Sequence, residues 1–189
     1  MKGLSYYLRQ AWKKPDIKVL RKRMIEWRKS EAVVKVEKPL RLDRARALGY
    51  KAKKGFVIAR VRLLRGGRKR PTRSKGRRSK RQTIRKTLKM SYQWVAEQRA
   101  ARKFRNLEVL NSYKIGKDGL HYFFEIILVD PARPEIKNDR TINWICQPKN
   151  QNRALRGLTS AARKSRGLRN PGRNLKVRPS LRAWHRKGR

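Results

Sequence analysis

Twelve of the twenty-two residues at 65–86 are Arg or Lys, none is acidic, and the one aliphatic side chain is Ile84. Such a stretch has nothing apolar to bury and repels itself along its length. It is expected to stay extended in water until a polyanion neutralises it. It lies within a longer acid-free zone: no carboxylate occurs between Asp43 and Glu97, and none follows Asp139. Any core must come from the mixed, more apolar remainder.

The chain has 189 residues, enough for one domain of ordinary size. Charged residues make up 36% of it, against about 25% in an average globular domain, so part of the chain is expected to lie outside a compact unit. The formal net charge of +44 opposes compaction and demands a polyanionic partner, for which nucleic acid is the natural candidate. An anionic membrane would call for a long uncharged stretch or a continuous apolar helix face. Neither is found: the longest apolar run, 122–129, has strand length and is broken by Glu125. Residues 1–15 contain Arg9, Lys13 and Lys14 and no continuous apolar run, so no signal peptide is expected and the chain should remain in the cytoplasm. Cys146 is the single cysteine, and His121 and His185 are far apart, so neither an internal disulfide nor a metal site is expected.

Taken in order, 4–14 reads as a short helix, and Pro15-Asp16 opens a second. In that second helix Ile17, Leu20, Met24 and Trp27 make one apolar stripe, with Trp27 a core residue rather than a base-stacking one. Its other faces carry Lys18, Arg21, Lys22, Arg23 and Arg28, which are free to meet phosphate. A strand is expected at 32–36, a helix at 42–48 closed by Gly49, and a strand at 55–64. In this last strand Val57, Ala59, Val61 and Leu63 form the core face. The opposite face runs from Phe56 and Ile58 to Arg60 and Arg62, as suits a sheet edge entering an RNA surface.

A helix follows at 90–104, with Met90, Trp94, Ala101 and Phe104 on one side, interrupted by Glu97. Residues 107–115 and 120–129 predict a β-hairpin turning through Gly116-Lys117-Asp118-Gly119, and Tyr122, Phe124, Ile126 and Leu128 define the centre of the core. A short helix is expected within 134–138, and 144–146 should dock on the body. The domain reading is an α+β body at 1–148 with the basic loop inserted at 65–86, followed by a basic RNA-binding extension at 149–189 that contains one short helix at 159–166.

Catalytic and cofactor patterns are missing. Gly116-Lys117-Asp118-Gly119 matches the GxxG clamp of one RNA-binding module, but that clamp joins two helices and this one joins two strands. Lys54-Gly55-Phe56 resembles the start of an RNA-recognition consensus, yet Ile58 and Val61 stand where stacking rings are needed. His121 and Glu125 share one strand face without a serine or cysteine nucleophile, and read as a polar pair on the less buried face of the sheet. No glycine-rich phosphate loop occurs. No cofactor, metal or small-molecule substrate is expected.

The basic clusters carry the functional reading, since arginine forks engage phosphate oxygens in pairs. In the first acid-free zone the cations expected to meet RNA are Lys51, Lys53 and Lys54, then Arg65, Arg68, Lys69, Arg70, Arg73, Lys75, Arg77, Arg78, Lys80, Arg81 and Arg85. In the second they are Arg156, Arg163, Lys164, Arg166, Arg169, Arg173, Lys176 and Arg178. Trp184, in a tail with little core nearby, is read either as a base-stacking or RNA-pocket residue or as one docked on protein.

The stretches 46–62, 67–71, 106–113, 124–131, 143–146 and 156–167 resemble, in order, the archaeal and eukaryotic large-subunit ribosomal protein family fifteen-e. Among them are Gly-Tyr-Lys-Ala-Lys-Lys-Gly-Phe at 49–56, Gly-Arg-Lys-Arg-Pro at 67–71 and Gly-Leu-Thr-Ser-Ala-Ala-Arg-Lys at 157–164. The resemblance implies a four-stranded antiparallel sheet with packed helices, and extensions threaded between RNA helices. It implies a structural constituent that binds large-subunit rRNA beside neighbouring large-subunit ribosomal proteins, without catalysis. The short tail and compact loop fit an archaeal source better. The alternative reading from charge is a basic chromatin protein that coats DNA non-specifically; the large mixed body favours one defined docking site.

Overall fold

The computed structural model describes residues 2–69, 76, 85–86 and 88–169. Helix α1 (Leu4–Ala11) stops short of the expected end at residue 14. Helix α2 (Ile17–Lys29) begins where the Asp16 carboxylate accepts the N–H groups of Lys18 (2.8 Å) and Val19 (3.4 Å). Asp16 is thus the cap, satisfying donors that the first turn leaves unpaired, and Pro15 stands just outside the helix. Strand β1 (Val33–Val36) and helix α3 (Leu42–Ala47) follow, the latter ending before Gly49 at φ +98°, a left-handed conformation that glycine adopts without a Cβ penalty.

Next come β2 (Phe56–Leu64), β3 (Arg68–Lys69), β4 (Arg85–Lys86), α4 (Tyr92–Lys103), β5 (Glu108–Lys117), β6 (His121–Val129) and α5 (Pro134–Lys137). Two short 3-10 turns, Asn143–Cys146 and Pro148–Asn150, lead to α6 (Ser160–Ser165), which is capped by Thr159. The main sheet is antiparallel, in the order β1-β2-β6-β5, so the described residues form an α+β fold with an open four-stranded sheet. The expected strands at 32–36, 55–64, 107–115 and 120–129 are all present.

Strand β6 is central and is buried on both faces from Phe123 to Val129. On one side Phe124, Ile126 and Leu128 join Ala59, Val61 and Leu63 of β2 and the small residues Ala96 and Ala100 of α4, which let the helix approach closely. On the other, Phe123 and Ile127 meet Ile58, Tyr113, Ile115, Ala45 and Trp27. Each large apolar side chain so enclosed contributes about 1.5–3 kcal/mol. A third group, Val129, Ile136, Ile142 and Ile145, closes one end.

Several sequence expectations are corrected. Strand β2 is interior, not an edge: it pairs with β1 on one side and β6 on the other. Its Ile58 is buried in the second layer, and Arg60 lies over the Trp27 ring at 5.2 Å. The fully buried residues of α4 are Ala96, Glu97 and Ala100, with Ala101 and Phe104 of the expected side packed beside them, so Glu97 belongs to the buried face rather than interrupting it. The hairpin turn is shorter than expected, since Gly116 and Lys117 belong to β5 and pair with Phe123 and Tyr122. The Asp118 carboxylate accepts the N–H groups of Leu120 (2.8 Å) and His121, which tightens the turn. Gly116 is a packing position: a Cβ there would lie 3.4 Å from the Met24 sulfur and 3.6 Å from the Trp27 ring. The ends of the 65–86 stretch pair as a two-stranded ribbon, Arg68 with Lys86 and Lys69 with Arg85.

Residues 149–169 are seated on the body. Ala154 is in the main core cluster, and the Trp94 indole N–H donates to its carbonyl at 2.7 Å. The centre of this attachment is Glu97, fully buried, which accepts hydroxyl hydrogen bonds from Ser112 of β5 and Thr159 of the α6 cap. Burial pushes its carboxyl pKa above the ordinary 4.5, partly offset by the two hydroxyls and by Arg153. Replacing Glu97 with Ala strands two buried hydroxyls and, at about 1–3 kcal/mol for each, is expected to cost about 2–6 kcal/mol, measured by urea unfolding. A raised folded-state pKa means that the native state binds the proton more tightly, so this site penalises stability above its folded pKa and ceases to do so below 4.5. Wild type should therefore gain on Glu97→Gln as pH falls from 7 toward 4.5. A stability difference that stays flat with pH would contradict this.

Candidate nucleic-acid interface

All twelve carboxylates lie within the described residues, and most are turned to internal work. Glu97 and Glu125 are in the core. Glu125 accepts the Leu40 N–H at 3.1 Å and the Tyr113 hydroxyl, and faces the Arg60 charge. Burial raises the pKa of this carboxyl as well, and the Tyr113 phenol beside it is pushed up in turn, first by its own burial and then by the neighbouring negative charge. His121 and Glu125 therefore form no pair: Glu125 is buried, and the His121 ring sits 3.5 Å from Asp118. The expected polar pair on a less buried face is corrected accordingly.

Other acids fix the periphery. Asp43 pairs with Arg41 at 3.2 Å, Glu31 with Lys103, and Asp130 with Arg133 at 3.5 Å. The Glu108 carboxylate accepts the Asn152 N–H at 2.7 Å, tying β5 to the 149–169 segment. Asp139 takes two cations from the expected RNA set: Lys51 at 2.7 Å and Lys53 at 2.6 Å, with Lys51 also donating to Thr141 and Lys53 to the Glu135 carbonyl. Lys54, next in the chain, is exposed.

The remaining expected residues divide by location. Arg68, Lys69 and Arg85 occupy register positions on the β3–β4 ribbon. Arg163, Lys164 and Arg169 are exposed on the α6 segment. Arg156 donates to the Lys149 carbonyl and Arg166 to Gly157 O at 3.1 Å, which ties each guanidinium to its own backbone. Partial burial, and then the nearby Arg163 charge, lower the Arg166 pKa from its ordinary value. Arg70, Arg73, Lys75, Arg77, Arg78, Lys80, Arg81, Arg173, Lys176, Arg178 and Trp184 lie outside the described residues.

Arg65 is anchored at the root of the basic stretch. Its N–H donates to Leu120 O at 2.8 Å, its Nη1 to Asp118 O (2.6 Å) and Gly119 O (3.2 Å), and its guanidinium lies 5.0 Å from the centre of the Tyr122 ring. Tyr92 holds the next residue: its hydroxyl donates to Gly66 O at 3.1 Å and accepts from Gly66 N–H at 2.9 Å. Sequence reasoning missed this tyrosine, and also three cations that face inward. Arg153 reaches Val109 O (2.6 Å) and Leu110 O (2.8 Å) and lies over Trp144; Arg41 lies over Trp12; and Arg60 is committed as described above. Their one signal was adjacency to apolar residues, which many surface arginines share.

The described surface is thus dominated by cations whose counter-charges are spent elsewhere, on α2 (Lys18, Arg21, Lys22) as well as on the 149–169 segment. No helix among the described residues is long and apolar enough to cross a membrane. A body so arranged is of the class of strongly basic proteins whose free surface suits a polyanion. The model of the Ribosomal L15 family matches residues 3–184, and the chain belongs to that family, Ribosomal_L15e. It is a large-subunit ribosomal protein, and its family is of a structural rather than an enzymatic kind.

The Asp139 clamp yields a pH test of opposite sign to that of Glu97. Hydrogen bonds from Lys51, then Lys53 and Thr141, hold the Asp139 carboxyl well below the ordinary 3.8. A lowered folded-state pKa gives stabilisation that is complete above 3.8 and lost progressively as pH falls below it. Asp139→Asn should lower the thermal midpoint at pH 7, with the gap to wild type closing in acid. An equal gap at pH 7 and pH 2 would show that the clamp is not ionic.

Proposed function

We propose that the protein is an assembly and packing element of the large subunit, binding its rRNA by phosphate neutralisation and by recognition of shape. The reading divides the chain into a body, the basic loop at 65–86 and a basic extension from 149, whose first part is seated on the body. Each phosphate neutralised releases condensed counterions and lowers the repulsion between RNA helices brought together. Recognition is mainly of backbone, because cations outnumber the base-reading Asn and Gln in these segments. Neighbouring large-subunit proteins and a cytoplasmic ribosome complete the proposed setting.

The observation that carries the reading is the partition of charge: most acids are bonded to the chain's own cations, hydroxyls or backbone N–H groups, and a large excess of cations is left on the surface, in a chain of formal net charge +44. A basic DNA-coating protein would share the net charge, but nothing in the fold favours that role. The test is sedimentation of native extract through sucrose at moderate and high salt, with and without ribonuclease. Stoichiometric migration with the large subunit, resisting salt and lost on RNA digestion, is expected; migration with DNA would overturn the proposal. A variant with 67–84 replaced by a short Gly-Ser linker should retain its circular-dichroism spectrum yet incorporate into subunits several-fold less. Loss of the spectrum with normal incorporation would reverse the assignment of the loop to RNA and the body to folding.

A further inference from the structure

The root of the basic stretch contains Gly66-Gly67, which on sequence alone is among the freest joints in the chain. The structure closes that joint from two sides. Arg65 is held to the β5–β6 turn through its N–H, its Nη1 and its position over the Tyr122 ring. Gly66 is held to the start of α4 by the Tyr92 hydroxyl, which bonds to both the N–H and the carbonyl of that one residue. Two bonds on one glycine fix the peptide planes before and after it, and so fix the φ of +96° at which the chain departs. The two anchors also touch each other, with the Tyr92 and Tyr122 ring centres 4.8 Å apart. The ribbon pairing begins two residues later, at Arg68.

We propose that Tyr92 and Arg65 are positioning residues that set the direction in which the basic stretch leaves the body, and hence which rRNA phosphates it meets. The proposal rests on the reading of that stretch as RNA-binding. Arg65 then acts through its bonds to the turn rather than as a phosphate ligand. An arginine serving phosphate presents its fork to solvent. Arg65 is exposed, but here one nitrogen of its fork is shared between two backbone carbonyls, and the guanidinium carbon lies 5.0 Å from the centre of the Tyr122 ring. A pre-set exit direction reduces the ordering cost paid when so many cations engage RNA at once.

The test is filter binding of the full chain to purified large-subunit rRNA across a range of salt, for wild type, Tyr92→Phe, Arg65→Lys, Arg65→Ala, Gly66→Ala and a variant lacking 67–84. Tyr92→Phe removes no charge and Arg65→Lys exchanges cation for cation. Each is nonetheless expected to weaken binding about threefold or more, and to make the salt dependence shallower by about one or two phosphate contacts. A merely structural role would lower the thermal midpoint and leave the salt slope alone. Gly66→Ala provides a second route to the joint: its Cβ would meet nothing within 4 Å, so only the positive φ resists it, and it should act in the same direction even if Tyr92→Phe disturbs the body. Wild-type affinity and slope in Tyr92→Phe and Gly66→Ala would overturn the proposal. So would Arg65→Lys at wild-type affinity beside a weakened Arg65→Ala, which would make Arg65 a phosphate ligand. If the variant lacking 67–84 bound as tightly as wild type, the RNA reading of the stretch would itself fall; if only that variant weakened, the joint alone would be refuted.

Discussion

The fold depends on a carboxylate where the core could have held a methyl group. Glu97 collects one hydroxyl from β5 and one from the α6 cap, and the Arg153 charge lies near it. Burying a carboxyl is expensive unless every lone pair is used. The expense is accepted here because one residue joins helix, sheet and the seated 149–169 segment at a single point. The same logic recurs at Glu125, which joins the chain at Leu40 to the middle of the sheet through a backbone N–H and a tyrosine hydroxyl. Apolar contact alone would hold these pieces together without fixing their register.

With 12 acids against 56 Lys and Arg, a carboxylate is a scarce group in this chain, and its placement decides which cations remain available. Asp139 commits two lysines, Asp43 an arginine and Asp118 a share of Arg28. Elsewhere inward-facing arginines are satisfied by backbone carbonyls and aromatic rings, as at Arg153 over Trp144. A body can thus be assembled within an overwhelmingly basic sequence, because its own cations are partitioned between structural bonds and a free surface.

The strands were legible because β-branched and aromatic residues cluster at 33–36, 56–64 and 121–129, and because the glycines at 49 and 167 lie just past helices. The charge class was legible from composition. What escaped depends on partners distant in sequence. Glu97 read as a flaw in an apolar stripe because its hydroxyl donors lie 15 and 62 residues away. The pairing of Lys51 and Lys53 with Asp139 was hidden because Asp139 is more than 80 residues downstream. Gly116 read as a turn glycine because nothing local reveals that α2 brings Met24 and Trp27 against it. Arg65 showed its charge, but not the carbonyls and the ring that engage it. Local pattern reports secondary structure and net charge well; it does not report which of many like residues has a partner.

The order of strands in the sheet has a biosynthetic consequence. The neighbours of β2 are β1, made just before it, and β6, made more than fifty residues later and only after the whole basic stretch. While the chain is being synthesised, one edge of β2 cannot be fully paired until residue 129 has been made, well after the basic stretch. The nascent chain therefore combines an open sheet edge with a dense run of positive charge. Completion of the sheet is thus a late event, and the basic stretch is synthesised before it.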